Sequence, residues 1–323
     1  MVKVLIFGTG AVGSVYGWIL HNAGAEVTVV CRTNYATVKE KGLLIRSGVF
    51  GKVHYKPTTV DSVSAAKGPF DFILVCSKAF PGTSGLIREA VSADTAIVLA
   101  QNGICIEDEY AESYPGNVII SAVVYLPVTQ VEPGVIEMGL LERFEVGTYP
   151  ATAPAEAKAK VKLLQELWSA GGATCKVFDD VQTQRWVKLA VNAAWNPMCA
   201  LTLCDDANLL RSSLEALGMV KKVMMEVGNV AKAAGYPVVT EEELDGQLSR
   251  SKERLKSGGK EPSMLTDIRN HRPIEVEAIL GNTVRIAQRL RVDVPYLEIL
   301  YTLAKGLDFS TVRPMEWKPL ATF

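Results

Sequence analysis

A glycine pattern near the N-terminus, between two apolar runs, limits the fold of this chain more than any other feature. Val2–Phe7 has the length and the β-branched content of a strand. Gly8, Gly10 and Gly13 follow it in the arrangement G-x-G-x-x-G, and Ala11–Ala23 has helical spacing. A second strand-like run comes next, which is the context that makes such glycines informative. We therefore expect a turn that binds a dinucleotide, with a glycine-rich turn without a ligand as the alternative.

Each glycine of this turn has its own physical use in a dinucleotide site. The first permits the tight turn, the second lets the backbone approach a pyrophosphate, and the third lets the helix pack on the strand. The helix N-terminus offers N–H groups and a partial positive charge to the phosphates. Ala11 and Val12 therefore join Gly8, Gly10 and Gly13 as expected cofactor-binding residues.

Strand-like and helical patterns alternate through the first half of the chain, which indicates a parallel sheet with helices on both faces. Further strands are predicted at Glu26–Cys31, Phe70–Cys76, Thr95–Ala100, Asn117–Val124 and Thr174–Phe178, and helices at Thr83–Ser92 and from Ala151 to about Ser169. Between Val135 and Tyr149, two short strand-like runs flank L-L-E, and we interpret them as a hairpin.

The pattern changes after Asp180. Long helical stretches continue to the C-terminus, and Leu255–Ser263 is the clearest loop among them. We therefore expect an α/β fold, in which an N-terminal Rossmann-type doubly wound sheet (residues 1–180) is followed by an all-helical C-terminal domain (residues 181–323).

Composition excludes several classes of partner. The chain has 323 residues, of which 48% are hydrophobic, and its formal net charge of −1 gives no bulk attraction to nucleic acid or to an anionic membrane. No apolar run approaches the length of a membrane span, and the N-terminus lacks the layout of a signal peptide. The six cysteines form no C-x-x-C pair and the three histidines are scattered. This favours reduced core cysteines in a cytoplasmic protein over a disulfide frame or a metal site.

Polar residues that follow strand ends are candidates for binding the cofactor or the substrate. Arg32, in V-V-C-R-T-N, takes the place where an NAD site usually has a carboxylate, and arginine suits the 2′-phosphate of NADP. Thr33 and Asn34 can add hydrogen bonds there. Lys78, in V-C-S-K-A, can neutralise phosphate or lie near the nicotinamide, and Asn102, in Q-N-G, can bind cofactor or substrate. The alternatives are a surface arginine, a solvated loop lysine and a simple N-G turn.

The mostly apolar stretch from Trp186 to Pro197 carries an ammonium group and two amides at four-residue intervals. Lys188, Asn192 and Asn196 advance by about 40° each around a helix and form one slanting stripe. If they were buried without partners, each amide would cost about 1–3 kcal/mol, and the ammonium more. A ligand, other polar groups or water therefore satisfies them, unless the stripe faces solvent. A lysine partly withdrawn from water can protonate a developing alkoxide.

These motifs together resemble those of the ketopantoate reductase family. The resemblance rests on the glycine loop G-T-G-A-V-G, the Arg of V-C-R, the K-A pair after V-C-S, the Q-N-G turn, the helix K-L-A-V-N-A-A-W-N-P, and the late segments S-M-L-T-D-I-R and E-V-E-A-I-L-G. It spans nearly the whole chain, in the family's order. It implies a Rossmann domain that binds NADP, a helical substrate-binding and catalytic domain, and an active site in the cleft between them. It also implies reduction of 2-dehydropantoate to pantoate with NADPH, a step of pantothenate biosynthesis.

The resemblance assigns roles residue by residue. It makes Lys188 the catalytic lysine and Glu275 the acidic residue near it, although spacing alone leaves open whether Glu275 or Glu277 faces the substrate. It gives substrate binding to Asn102, Asn192, Asn196 and Ser263, and cofactor binding to Gly8, Gly10, Ala11, Val12, Gly13, Arg32, Lys78 and Asn102. A helix N-cap before M-L-T-D-I is the alternative for Ser263.

Two departures from the family pattern bear on the substrate. Where the family commonly has a further substrate-binding asparagine, this chain has Asp206, with Asn208 slightly displaced, and an aspartate repels a substrate carboxylate. Tyr125 and Leu126 occupy positions where small or polar residues are frequent in the family, which favours a larger ketone. The reaction class is therefore predicted more firmly than the substrate.

We expect an NADPH-dependent reductase of a small-molecule ketone, in the first place 2-dehydropantoate, with Lys188 as general acid. Another 2-keto acid, a keto ester or a bulkier ketone is the alternative within the family. A non-catalytic NADP-binding sensor is the alternative from a different class. The amphipathic stretch Leu290–Leu303 can pack within its own domain or against a second copy, so a homodimer is left open.

Overall fold

The computed structural model describes residues 1–312, and the chain divides into two compact units, Met1–Gln184 and Arg185–Phe323. Residues 313–323, the end of the predicted helical domain, lie outside the described residues. The boundary expected near residue 180 and the roles expected of the two domains stay predictions.

The first unit alternates strands and helices. Its strands are β1 (Lys3–Phe7), β2 (Glu26–Val30), β3 (Leu43–Ser47), β4 (Gly51–Tyr55), β5 (Thr58–Val60), β6 (Phe72–Val75), β7 (Ala96–Leu99), β8 (Ile119–Tyr125), β9 (Val128–Glu132), β10 (Val135–Met138), β11 (Arg143–Tyr149) and β12 (Cys175–Val177). Its helices are α1 (Ala11–Asn22), α2 (Tyr35–Lys41), α3 (Glu107–Ser113) and α4 (Ala155–Ala170), and a 3₁₀ helix spans Thr83–Ala90. Each strand and helix predicted in this unit is present, although the predicted helix at 83–92 has 3₁₀ geometry.

An eight-stranded sheet forms the core of the first unit, in the order β12-β11-β8-β7-β6-β1-β2-β5. Its neighbours pair in parallel, except that β8 and β11 are antiparallel. β6 and β7 are buried along their whole length, as expected for F-I-L-V and A-I-V-L runs that helices cover on both faces. The strand order reverses between β1 and β6, and sheets of this kind bind ligands outside the carboxyl ends of the strands at that point.

A second sheet, of four strands in the order β4-β3-β10-β9, shows that the predicted hairpin is wrong. β10 pairs with β3 and β9 in this small sheet, whereas β11 pairs with β8 and β12 in the main sheet. The difference follows from burial. β10 alternates between covered and exposed positions, as a strand with one packed face does, while β11 is buried along nearly its whole length. The sequence analysis assigned no strand to β3, β4, β5 or β9.

Helix α1 is buried along most of its length because both the small sheet and α4 pack against it. Tyr55 at the end of β4 donates its hydroxyl to the carbonyl oxygen of Ser14, at 2.7 Å. Tyr16 makes edge-to-face contacts with Phe144 and Trp168, with ring centroids 5.0 and 4.8 Å apart. These contacts hold the helix axis, and with it the direction in which the first turn of α1 points.

From Arg185 to Val312, every regular element is helical, so the predicted fold class is confirmed. The helices are α5 (Gln182–Thr202, which begins in the first unit), α6 (Asp206–Ser212), α7 (Ala216–Ala233), α8 (Glu241–Ser257), α9 (Ser263–Arg269), α10 (Asn282–Leu290) and α11 (Pro295–Val312), with a π-helical segment at Glu277–Gly281. The loop predicted at 255–263 is shorter, because α8 continues to residue 257. Within residues 1–312, no helix combines the length and the apolar character that crossing a membrane requires.

Candidate active site

The glycine turn and the loop after β6 meet where the strand order reverses. Gly8 has a φ of +97°, which is strained for any residue with a side chain. A Cβ at Gly8 would lie 2.5 Å from the backbone nitrogen of Ser77, so only glycine fits there. Because Ser77 directly precedes Lys78, the structure brings two of the loops predicted to bind the cofactor into contact.

The first turn of α1 is suited to an anion. Gly10 is its N-cap residue, no side chain caps the helix, and the first turn carries no acidic residue. The N–H groups of Ala11, Val12 and Gly13 have no acceptor within the helix itself, because they belong to its first turn. A Cβ at Gly10 would meet no atom within 4 Å, so open space lies beside these donors. The residues present therefore fit the pyrophosphate of a dinucleotide.

Gly13 brings α1 close to β1, as the sequence predicts. A Cβ at this position would lie 2.3 Å from the carbonyl oxygen of Gly8 and 3.0 Å from the Cγ2 atom of Ile6. Gly10 and Gly13 are thus required for different reasons. The first leaves room for a ligand, whereas the second leaves room for the protein's own backbone.

Arg32 is exposed just past the end of β2, and none of the residues from Cys31 to Asn34 is a carboxylate. This position suits a group that binds the 2′-phosphate of NADP. Asn34 has a different role from the predicted cofactor contact. It is 6% exposed, and its Nδ2 donates to the carbonyl oxygen of Thr9 at 3.0 Å. The amide therefore links the turn after β2 to the glycine turn.

Gln101 joins the two other loops at this edge of the sheet. Lys78 and Asn102 lie half-buried after β6 and β7. The Nε2 of buried Gln101 donates to the carbonyl oxygens of Ser77 at 3.1 Å and Lys78 at 3.2 Å. The role of Gln101 in the Q-N-G motif was not predictable from the sequence, since its partners lie on a loop distant along the chain.

Burial raises the pKa of two cysteines of the first unit, Cys76 and Cys175. All six cysteines of the chain are free. Burial raises the pKa of Cys76, which precedes Ser77, to about 12. Burial also raises the pKa of Cys175 to about 12, and the carboxylate of Glu142 adds to that effect. Burial therefore disfavours the thiolate, which is the nucleophilic form, at both cysteines.

In the second unit, the polar stripe of α5 is neither fully exposed nor without partners. Lys188 and Asn192 are half-buried, and Asn196 is 4% exposed. The Oδ1 of Asn196 accepts the hydroxyl of Ser263 and the backbone N–H of Met264, both at 3.3 Å. This contact brings two predicted substrate residues, Asn196 and Ser263, together. Ser263 is the first residue of α9 and not its N-cap.

The two candidate carboxylates lie in different surroundings. Glu277 begins the π-helical segment and accepts hydrogen bonds from Lys305 at 2.8 Å, Arg285 at 2.8 Å and Tyr301 at 3.1 Å. Although burial raises its pKa, these hydrogen bonds hold the pKa of Glu277 below its ordinary value. Glu275, just before the segment, is 4% exposed. Glu277 is thus engaged by two cations and a tyrosine, and which of the two carboxylates faces the substrate stays a prediction.

Asp206 is buried and bonded to the loop between α8 and α9. Its Oδ1 accepts the N–H of Lys260 at 2.7 Å, and its own N–H donates to the Lys260 carbonyl at 3.2 Å. Asp205 caps α6 through the backbone N–H of Asn208 and also accepts from the Asn208 side chain. Asp206 therefore anchors the loop that leads into α9, and its expected effect on a substrate carboxylate stays a prediction.

Tyr125 ends β8 at the same edge of the main sheet as Lys78 and Asn102. The guanidinium carbon of Arg143, on the adjacent strand β11, lies 4.1 Å from the centre of its ring. This cation–π contact holds the ring in place. The selection of a larger substrate by Tyr125 and Leu126 stays a prediction.

The predicted site residues thus form two groups. In the first unit, the three glycines, Ala11, Val12, Arg32, Lys78 and Asn102 all lie at the carboxyl edge of the main sheet. In the second unit, Lys188, Asn192 and Asn196 share α5, Ser263 is bonded to Asn196, and Glu275 precedes the π-helical segment. The first group is suited to hold a dinucleotide, and the second combines an ammonium group with neutral amides and a buried carboxylate.

Both units of the chain match a known protein family. The family model for ketopantoate reductase PanE/ApbA matches residues 4–151, and the model for the C-terminal part of the same family matches residues 180–308. The solved 2-dehydropantoate 2-reductase of Methylococcus capsulatus is 36% identical, with a TM-score of 0.84, over 97% of this chain and 99% of that one. The 2-dehydropantoate 2-reductase of Nostoc sp. (strain PCC 7120) is 28% identical over 319 residues, which is 95% of each chain.

A more distant likeness is one of fold alone. D-mandelate dehydrogenase, solved with NADH and anilino(oxo)acetate, is 24% identical, with a TM-score of 0.84, over 96% of this chain and 99% of that one. The two family models together cover most of both units. The chain belongs to the ketopantoate reductase family, whose members are NADPH-dependent oxidoreductases that reduce a ketone to an alcohol.

Proposed function

We propose that this protein reduces 2-dehydropantoate to pantoate with NADPH and that Lys188 is the proton donor. The observation that carries the proposal is the arrangement of α5. Lys188 is half-buried on the helix whose Asn196 is bonded to Ser263. An ammonium group held partly out of water, beside neutral amides, is what protonation of a nascent alkoxide requires.

The reaction adds a hydride to C2 of the keto acid and a proton to the keto oxygen. The nicotinamide, when bound, supplies the hydride. Lys188 donates its proton as negative charge develops on the oxygen, and the lysine is left as a neutral amine. Desolvation disfavours the charged form of a lysine, so the partial burial of Lys188 favours this transfer.

The remaining residues of the proposed site orient the substrate. Asn102, Asn192 and Ser263 can bind the keto oxygen, a hydroxyl or the carboxylate without adding charge, since amides and hydroxyls both donate and accept. Glu275 favours the protonated lysine before the transfer, because a nearby carboxylate stabilises a cation. In this proposal residues 1–180 bind NADPH and residues 181–323 supply the catalytic lysine.

Arg32 is proposed to confer the preference for NADPH over NADH. Arg32→Asp is expected to lower the ratio of kcat/KM with NADPH to that with NADH by about tenfold to a hundredfold, the equivalent of a lost charge-assisted hydrogen bond. Arg32 is exposed, so the fold is expected to persist. Arg88→Asp, which changes another exposed arginine of the same unit, is the control and keeps the ratio. An unchanged ratio in Arg32→Asp would show that Arg32 does not bind the 2′-phosphate.

The substrate is tested by NADPH consumption with a panel of ketones. The panel contains 2-dehydropantoate, 2-keto acids with smaller and larger side chains, and a keto ester of matched size. The highest kcat/KM is expected for 2-dehydropantoate. A higher kcat/KM for a bulkier keto acid or for the ester would contradict 2-dehydropantoate as the substrate. It would favour the larger ketone that Tyr125 and Leu126 suggest. The acid and ester pair also tests whether a carboxylate is recognised.

The sensor alternative predicts NADPH binding without turnover of any member of the panel. Membership of a reductase family favours the enzyme over the sensor. A cytoplasmic location and a homodimer are further proposals. They are tested by fractionation of cells and by the mass of the purified protein in solution.

A further inference from the structure

Asn34 makes a bond that is unusual for its place in the fold. It occupies the N-cap position of α2, where an asparagine side chain ordinarily accepts a backbone N–H of the helix. It makes no such cap. Its Nδ2 donates instead to the carbonyl oxygen of Thr9, at 3.0 Å, and both residues are buried. The amide therefore serves a contact between two loops and not the start of its own helix.

A second bond makes the link between these loops reciprocal. The hydroxyl of Thr9 donates to the carbonyl oxygen of Val30 at 2.9 Å, and its backbone N–H donates to the same oxygen at 3.4 Å. Val30 precedes Arg32 and Asn34 follows it, so Thr9 is bonded on both sides of the arginine. The carbonyl of Arg32 accepts the N–H of Tyr35 at 3.3 Å. The backbone that carries the exposed guanidinium is thus held in a short turn against the glycine turn.

We propose that Asn34 is a positioning residue for cofactor preference, which it exerts by fixing the turn of Arg32 at one distance from the glycine turn. This inference rests on the proposed role of Arg32. The 2′-phosphate and the pyrophosphate belong to one molecule of NADPH, and two anion-binding groups on separate loops bind them together only if the distance between the groups is fixed. If the turn were loose, part of the gain from the guanidinium would be lost in ordering it.

The test is the equilibrium binding of NADP⁺ and NAD⁺, measured by titration calorimetry. Asn34→Ser keeps a side chain that caps helices well, but its hydroxyl is too short to reach Thr9. It is expected to reduce the preference for NADP⁺ over NAD⁺ about tenfold, as the loss of one buried hydrogen bond allows, with NAD⁺ affinity nearly unchanged. In an Arg32→Ala background, Asn34→Ser is expected to have no further effect on the preference, because the two residues act as one unit.

Two further variants separate positioning from stability. Thr95→Val removes a buried hydrogen bond of the same kind, from Thr95, just before β7, to the carbonyl oxygen of Phe70, and it is expected to lower Tm while it keeps the preference. Asn34→Asp retains the size of the side chain, and it replaces Asn34→Ser if that variant does not fold. If Asn34→Asp lowers the preference by displacing Arg32, this effect disappears in the Arg32→Ala background. If the new carboxylate instead repels the 2′-phosphate directly, the effect persists in that background.

The outcomes distinguish this inference from the proposed function. If Arg32→Ala abolishes the preference but Asn34→Ser leaves it intact, the inference is overturned and the role of Arg32 stands. An equal loss of NADP⁺ and NAD⁺ affinity in Asn34→Ser also overturns it, since Asn34 would then support the pyrophosphate turn alone. If Arg32→Ala itself leaves the preference unchanged, the proposed role of Arg32 fails, and the inference fails with it.

Discussion

Lys188→Ala is expected to lower kcat at least about a hundredfold, the lower range for the loss of a general acid, while NADPH still binds. The keto oxygen would then have to take its proton from water, which is less well oriented than a side chain fixed on α5. The glycine turn lies in the other unit and is unchanged by the substitution. Steady-state kinetics with 2-dehydropantoate, together with titration of NADPH, measure the two effects separately.

Two further substitutions define the role of the lysine. Lys188→Arg keeps the positive charge but not a transferable proton, because arginine does not deprotonate in proteins, so it is expected to remain impaired. Lys232→Ala changes an exposed lysine near the end of α7 and is expected to leave kcat unchanged. Near-normal turnover of Lys188→Ala would remove the proposed proton donor.

Gly13→Ala is expected to lower the Tm of the protein by about 5–10 °C, although alanine is the better helix former. The added methyl carbon would lie 2.3 Å from the carbonyl oxygen of Gly8. Neither atom can rotate away, because the backbone fixes the position of each. α1 must therefore move off β1 and disturb its buried contacts. Thermal unfolding, followed by circular dichroism, measures the change.

Gly10→Ala is the matched control, since it adds the same methyl group three residues earlier in the same turn. No atom lies within 4 Å of that carbon, so Tm is expected to change little. The methyl group would instead occupy the space beside the first N–H groups of α1, and NADP⁺ affinity is expected to fall about tenfold or more, the equivalent of about 1.4 kcal/mol. If Gly10→Ala binds NADP⁺ normally, the pyrophosphate does not approach the backbone at this position.

Local sequence patterns predicted the parts of the fold that depend on neighbours in the chain. The strand, glycine turn and helix from Val2 to Ala23, the strands of the main sheet other than β5, and the helical second half were recognisable, because periodicity and turn chemistry act over a few residues. The hairpin between Val135 and Tyr149 was predicted wrongly for the same reason. Pattern shows where a strand lies, but not which partner β10 or β11 pairs with.

The residues of the candidate site also divide into those that the sequence shows and those whose partners only the fold shows. The glycines, Arg32 and Lys188 could be picked out from the sequence as candidates, because their positions relative to strands and helices are local features. The roles of Asn34, Gln101 and Asp206 were missed or misassigned, since each depends on a bond to a loop far along the chain. A sequence shows that a polar group is present but not which group satisfies it.

The amino-acid sequence by itself thus determined the α/β class and the glycine turn, since both depend on residue types at fixed spacing, and the family resemblance implied the reductase chemistry. The tertiary structure alone decided which strands pair, that Arg285 and Lys305 engage Glu277, and that Asp206 anchors a loop. The physical reason is that burial and hydrogen-bond partners are properties of chain segments brought together by folding, and spacing along the sequence does not encode that proximity.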